Sequence, residues 1–186
     1  MFCPGRAWEQ IRTNICLNEV NVKIAGAHAG VSVGPDGATH QAIEDIAILR
    51  AIPNMQIIVP CDMIETRKAT LAAARLPGPF YVRFAREKSP IFTTQDSPFE
   101  FGKANILHEG TDVAIVACGP LVHEALLAAR QLESKKISAR VINMHTIKPL
   151  DEDVVFEAAK ECGAVITVEE HQITGGVGSA VAEALS

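Results

Sequence analysis

The sequence predicts an α/β fold made of two doubly wound open sheets. Short apolar runs alternate with stretches of helical period along most of the chain, and the runs are apolar throughout rather than alternating with polar residues. Strands of that kind, each followed by a helix, are typical of parallel sheets covered on both faces. The alternation occurs in two sets separated by an irregular stretch, so we expect two α/β units.

The first set covers the N-terminal half of the chain. Strands are predicted at 20–25, 55–59 and 80–84, and helices at 6–18, 40–51 and from Asp62 to about Arg75. Thr39 and Asp62 are the residues expected to cap the second and third of these helices, because short polar side chains accept hydrogen bonds from the first free N–H groups. Pro77-Gly78-Pro79 ends the third helix.

The second set follows a stretch without sustained period. Residues 85–107 contain Pro90, Pro98 and scattered charges, which favour a linker. Beyond it, strands are predicted at 112–118, 138–144 and 164–168, and helices at 121–134, 151–161 and 177–185. The predicted organisation is a first domain at 1–92, a linker at 93–110 and a second domain at 111–186.

Composition excludes some classes of function. The 186 residues are 48% hydrophobic and carry a net charge of −5, which favours a globular protein and argues against nucleic acid as a partner. The five cysteines form no CxxC pair, so we expect free thiols, no metal site and a cytoplasmic location. No apolar run is long enough for a transmembrane helix, and the N-terminus lacks the pattern of a signal peptide.

The loop after the first predicted strand is the richest candidate site. It carries His28, Asp36 and His40 among four glycines. In open α/β sheets, ligands bind at the carboxyl ends of strands, and a carboxylate with two histidines suits a polyol. The alternative is a solvated turn before an ordinary helix, and the pattern leaves both open. The glycines match neither a P-loop nor a dinucleotide fingerprint.

Two further strand ends carry charged residues. Arg83 and Arg86 follow the third strand, where an arginine can grip a phosphate through two nitrogens. For Arg83 we favour the alternative of a surface arginine paired with Glu44, Asp45 or Glu87.

The second strand end carries Glu169, Glu170 and His171, which are candidate acid–base groups. Alternation along a strand points the two glutamates to opposite sides, so we expect one of them to be structural.

These segments resemble transketolase. RAWEQIR (6–12), the run NVKIAGAHAGVSVGPDGATHQAIEDIAILRAIPNMQIIVPCD (21–62) and YVRFAREKSP (81–90) are similar to its pyrimidine-binding domain. HEALLAA (123–129), ARVINMHTIKPLD (139–151), VITVEEH (165–171) and GGVGSAVAEAL (175–185) are similar to its C-terminal domain. The resemblance covers essentially the whole chain, and its most specific motifs are the loop 28–40 and the segment IKPLD.

The resemblance implies roles for individual residues. His28 would contact the sugar, Asp36 would accept a hydrogen bond from the C2 hydroxyl, and His40 would lie between the substrate and the cofactor. Arg86 would bind the sugar phosphate, with Arg83 structural, and Phe2 would pack on the aminopyrimidine ring of thiamine diphosphate. The implied reaction is transfer of a two-carbon ketol unit between sugar phosphates, a step of the pentose phosphate pathway.

The resemblance also implies that other parts come from a partner. The family's cofactor-activating glutamate and its diphosphate- and Mg²⁺-binding domain have no counterpart here, and both domains resemble shortened versions of the family's. We therefore expect an unpaired sheet edge, and either a homodimer or a complex with an N-terminal transketolase subunit. Two alternatives stay open: a non-catalytic transketolase piece, and a piece of 1-deoxyxylulose-5-phosphate synthase.

Overall fold

A computed structural model describes all residues, 1–186, and confirms the predicted α/β class with two open sheets. The helices are α1 (Phe2–Gly5), α2 (Trp8–Gln10), α3 (Asp45–Arg50), α4 (Met63–Arg75), α5 (Leu121–Ser134), α6 (Glu152–Glu161) and α7 (Val177–Leu185). The strands are β1 (Lys23–Gly26), β2 (Gln56–Ile58), β3 (Phe80–Arg83), β4 (Asn105–His108), β5 (Val113–Ala117), β6 (Ala139–Asn143), β7 (Thr146–Lys148) and β8 (Val165–Val168). A π-helical segment (Ile11–Cys16) continues α2, and a 3-10 segment (Val31–Asp36) follows β1.

Both sheets contain an antiparallel strand that the expectation of parallel sheets did not include. The first sheet has the order β1-β3-β2-β7 and the second has the order β4-β6-β5-β8. Strands β7 and β4 are the antiparallel members, and each lies at an edge. They contain only one and two apolar residues, flanked by polar ones, so no continuous apolar run revealed them. At the opposite edge of the first sheet, β1 pairs only with β3.

Strand β4 lies within the predicted linker, and the first residues of that segment are hydrogen-bonded to α4 and its cap. Asp62 accepts hydrogen bonds from the backbone N–H groups of Phe92 and Thr93, at 3.0 and 2.7 Å. The same carboxylate caps α4 as predicted, accepting from Glu65 N at 2.9 Å. One side chain thereby fixes the start of a helix and the segment that leaves the first sheet.

Two of the predicted helices differ from the observed ones. The helix predicted at 40–51 begins at α3 with Asp45, and Thr39 does not cap it. The helix predicted at 6–18 is a short α turn followed by the π-helical segment. The other four match their predictions to within about one residue at each end, because each has an apolar face and a clear stop.

The chain crosses from one sheet to the other between β6 and β7. His145 lies at this crossing and is fully buried, with its ring stacked on Phe99 at a centroid distance of 4.4 Å. Its backbone oxygen accepts a hydrogen bond from Val59 N at 2.7 Å, so the crossing is held directly to β2. Its Nδ1 lies 3.1 Å from Thr146 Oγ1, and its Nε2 has no hydrogen-bond partner.

One apolar core serves both sheets. Ile57 and Tyr81 from the first sheet, Val116 and Ile142 from the second, and Ile147 at the crossing belong to a single buried cluster. The five cysteines are free as predicted, and four of them are buried. No helix is both long and apolar enough to cross a membrane.

We predict that His145 makes the stability of the chain depend on pH. Burial lowers its pKa from 6.5 to about 4, so the unfolded chain binds a proton more readily than the folded one. The contribution to stability is present above pH 6.5 and is lost as the pH falls towards 4. The free energy of unfolding should fall by about 2 kcal/mol more between pH 7 and pH 5 in the wild type than in His145→Leu. Urea unfolding at both pH values measures this difference, and equal pH dependence in the two proteins would contradict it.

Candidate active site

The candidate loop leaves β1 and is pinned to neighbouring elements by its backbone. Ala29 N donates to Phe84 O at 3.1 Å, and Gly30 N donates to Ala42 O at 2.8 Å. These bonds bring the loop beside the end of β3, where Arg86 follows. The predicted site residues on the two segments are therefore neighbours, as the rule for carboxyl ends of adjacent parallel strands requires.

Asp36 and Arg86 form an ion pair across the site. Arg86 Nη1 donates to Asp36 Oδ2 at 2.9 Å and to Val33 O at 2.9 Å. The two side chains are 42% and 36% exposed, so water and ligands reach them. The Nε and Nη2 atoms of Arg86 have no hydrogen-bond partner within the chain, which leaves most of the guanidinium fork open.

Phe2 and His40 form a second pair. Their ring centroids are 5.1 Å apart and the rings are nearly perpendicular, a favourable edge-to-face arrangement. His40 Nδ1 also lies 2.9 Å from Thr39 Oγ1. Phe2 is 49% exposed, and the Arg6 guanidinium carbon lies 4.7 Å from its ring centroid. Arg6 was not predicted as a neighbour of Phe2, because the turn that joins them, α1, was not predicted from the sequence.

His28 lies exposed at the start of the loop. Its backbone φ is 60°, a left-handed conformation that is uncommon for residues other than glycine. No hydrogen bond joins its ring to another protein group. The structure therefore presents His28 to solvent without a partner, whereas the other candidates are paired: Asp36 with Arg86, and His40 with Phe2.

Arg83 is not the surface arginine that we favoured, although its partner is one of those predicted. Its side chain is only 5% exposed, and it forms a two-pronged ion pair with Asp45, with Nε–Oδ2 2.7 Å and Nη2–Oδ1 3.1 Å. Tyr81 Oη donates to the same carboxylate at 2.8 Å. Burial opposes the charge of Arg83, but the adjacent Asp45 carboxylate outweighs it and raises the pKa of Arg83. Arg83 is a buried group whose hydrogen bonds go to other groups of the protein.

The cluster Glu169, Glu170 and His171 is engaged in structural contacts. Glu169 accepts hydrogen bonds from Val177 N and Gly178 N at 2.8 and 2.9 Å, which satisfies the N-terminus of α7. His171 Nε2 accepts from Ala47 N at 3.2 Å, near the start of α3. Its Nδ1 lies 2.8 Å from Gln172 O and so carries the proton.

The third member of this cluster reaches the candidate loop. The carboxylate of Glu170 bonds to Ser32, which lies between His28 and Asp36. Sequence reasoning missed this contact because 138 residues separate the two side chains, and nothing local in either segment indicates the other.

We predict that removing one member of the buried ion pair destabilises the chain strongly. Asp45→Ala leaves Arg83 charged and unpaired in the core, and we expect a loss of about 3–5 kcal/mol in the free energy of unfolding. Asp45→Ala combined with Arg83→Leu should lose less than the sum of the two single variants. The matched control is Glu183→Ala, which breaks the more exposed ion pair with Arg50 and should cost less than about 1 kcal/mol. Equal losses for Asp45→Ala and the control, measured by urea unfolding, would contradict the prediction.

Comparison with known proteins identifies the family. Residues 1–91 match the model of the transketolase pyrimidine-binding domain, and residues 102–186 match that of the transketolase C-terminal domain. A putative transketolase C-terminal section from Methanocaldococcus jannaschii is 46% identical over 100% of this chain and 58% of its own length. One of the subunits of the apulose-4-phosphate transketolase from Phocaeicola vulgatus is 44% identical over 100% of this chain and 60% of its own length.

A solved structure gives the same result. The structure of a split-gene transketolase, an inactive tetramer of four β subunits, superposes on this chain with a TM-score of 0.92. The two sequences are 47% identical, and the superposition covers 99% of this chain and 59% of the other. The chain therefore spans about 60% of the length of the relatives it matches. Two family models, these relatives and this superposition show that the chain belongs to the transketolase family.

Proposed function

We propose that the chain is the substrate-reading component of a transketolase that transfers a two-carbon ketol unit between sugar phosphates. The observation that carries this proposal is the exposed ion pair between Asp36, on the loop between His28 and His40, and Arg86, which follows β3. It combines a carboxylate that accepts from hydroxyl groups with a guanidinium that binds phosphate. A phosphorylated sugar carries both hydroxyl groups and a phosphate.

The open side of Arg86 supports phosphate binding. Only Nη1 is occupied, by Asp36 and Val33 O, so Nε and Nη2 can donate two parallel hydrogen bonds to one phosphate. The bond from Arg86 also orients the Asp36 carboxylate, whose Oδ1 accepts no hydrogen bond within the chain. That oxygen is free to accept from the C2 hydroxyl of the substrate.

The residues present fit thiamine diphosphate at its aminopyrimidine end. Phe2 offers a half-exposed aromatic face of the kind on which a heteroaromatic ring stacks, and His40 lies beside it. When bound, the cofactor supplies the nucleophilic carbon of the ketol transfer. In this proposal His40 orients substrate next to the cofactor, and His28 contacts the hydroxyl groups of the sugar.

The remaining parts of the site are proposed to come from a partner chain. No group of three or more His, Cys, Asp or Glu side chains in this chain is arranged to hold a metal ion. Similar proteins are named as a C-terminal section and as subunits, and they are longer than this chain. We propose that a further chain carrying the diphosphate and Mg²⁺ site and the activating glutamate completes the enzyme, either with one copy of this chain or with a homodimer of it.

Reconstitution tests the need for a partner. With thiamine diphosphate, Mg²⁺, a ketose phosphate and an aldose phosphate, the chain alone should show no ketol transfer. Adding a chain that contains the diphosphate domain and the activating glutamate should restore transfer. Activity of the chain alone would contradict the division of roles, and inactivity of the mixture would favour a non-catalytic protein. Joining of the two-carbon unit of pyruvate to glyceraldehyde 3-phosphate, with release of CO2, would instead identify a 1-deoxyxylulose-5-phosphate synthase.

In the reconstituted enzyme, we predict that Arg86→Ala raises the KM for phosphorylated sugars about 10- to 100-fold, because it removes charge-assisted hydrogen bonds to the phosphate. The KM for a non-phosphorylated acceptor should change little. Arg75→Ala, at the exposed end of α4, is the matched control and should change neither value. An equal change for both substrate types would contradict the role of Arg86.

A further inference from the structure

We infer that Glu170 is a positioning residue, which sets the shape of the substrate loop by holding Ser32. This inference rests on the proposed function, since the loop matters only if it reads the substrate. Glu170 follows β8 in the second sheet, whereas Ser32 belongs to the loop that leaves the first. Through this contact, the C-terminal unit (residues 111–186) would determine part of the proposed substrate selectivity.

Both carboxylate oxygens of Glu170 accept hydrogen bonds from Ser32. Ser32 N donates to Oε1 at 3.0 Å, and Ser32 Oγ donates to Oε2 at 3.1 Å. Hydrogen bonds to a charged acceptor are about twice as strong as those between neutral groups. Two of them on one residue fix its backbone and its side chain together.

The loop approaches Glu170 too closely for a side chain at residue 30. A Cβ atom added to Gly30 would lie 2.6 Å from Glu170 Oε2 and 2.9 Å from Glu170 Cβ. Gly30 also has a φ of +83°, which residues with a Cβ rarely adopt. The chain therefore passes directly against Glu170 two residues before Ser32, and only glycine permits this approach.

Glu170 is itself held by the buried core. Arg83 Nη2 donates to the backbone oxygen of Glu170 at 2.9 Å, and Arg83 is fixed by its ion pair with Asp45. The carboxylate thus extends from an anchored backbone. A positioning group must be rigid in this way if it is to transmit a defined geometry.

The other anchors of the loop do not hold Ser32. Ala29 and Gly30 are held through their N–H groups. Val31 and Val33 are held through their carbonyls, which accept from Gln41 Nε2 at 3.2 Å and from Arg86. Ser32 lies between these anchored residues, and both of its donor groups, the N–H and the hydroxyl, bond to Glu170. Release of Ser32 would let the segment between His28 and Asp36 relax, and a misplacement of about 1 Å can cost a catalyst on the order of 100-fold in rate.

The kinetic test uses the reconstituted enzyme and two aldose phosphate acceptors that are epimers at C2. Glu170→Ala should lower kcat/KM for the preferred epimer about 10- to 100-fold and should reduce the ratio between the epimers. This ratio does not depend on the fraction of folded enzyme, so a merely structural role of Glu170 would leave it unchanged. Glu170→Gln retains a carbonyl acceptor for Ser32 N, and its amide can donate to Ser32 Oγ, so it should restore most of the selectivity.

Two further variants complete this test. Ser32→Ala removes only the hydroxyl contact, so its loss should be smaller, and adding it to Glu170→Ala should cause no further loss. Glu183→Ala is the matched control, because it also removes a carboxylate between the two units, at Arg50, but does not touch the loop. It should leave both kcat/KM and the epimer ratio unchanged.

Hydrogen exchange of the chain alone supplies a readout without activity. The Ser32 amide should exchange at least about 10-fold faster in Glu170→Ala than in the wild type or in Glu183→Ala, because its acceptor is gone. If the wild-type enzyme transfers ketol units but Glu170→Ala changes neither the epimer ratio nor this exchange rate, the inference is overturned. If no transfer occurs in the wild type, the proposed function fails, and the exchange measurement still decides whether Glu170 orders the loop.

Discussion

The buried ion pair between Asp45 and Arg83 is the interaction on which the candidate site depends. Two charges in the core are costly unless their hydrogen bonds are complete, and here they nearly are. Asp45 accepts from Tyr81 and from two nitrogens of Arg83, while Arg83 also donates to the carbonyls of Ala42 and Glu170. These bonds fix the start of α3, the end of β3 and the end of β8 relative to one another. The start of the candidate loop is hydrogen-bonded beside this frame, at Ala42 and Phe84.

Residues from the C-terminal half of the chain satisfy both ends of helix α3. At the N-terminus of α3, His171 accepts the N–H of Ala47, and at its C-terminus Lys148 Nζ donates to Arg50 O and Ile52 O. Helix ends carry unpaired backbone groups that must find partners, so these bonds satisfy α3 and attach it to the C-terminal unit at once. The same unit reaches Ser32 through Glu170. The side chains that make these contacts are partly buried, whereas the proposed substrate-binding side chains are exposed.

Local patterns were sufficient for the long elements of the fold. The run that forms α5 has an apolar face and follows Gly119-Pro120, and Asp62 marks the start of α4, so both helices were predictable. The edge strands β4 and β7 were not, because their sequences contain only two and one apolar residues between polar ones and show no continuous apolar run. Helix α3 begins five residues later than predicted because its first turn is set by Asp45 and its distant partners.

The sequence by itself determined the family resemblance and the candidates His28, Asp36, His40 and Arg86, because these lie in compact motifs at strand ends. Tertiary structure alone decided their arrangement. It joins Asp36 to Arg86 across 50 residues, and it buries Arg83, a residue of the same type and neighbourhood as Arg86. Whether an arginine is a buried anchor or an exposed side chain depends on the groups that surround it in space, and those groups come from distant parts of the chain.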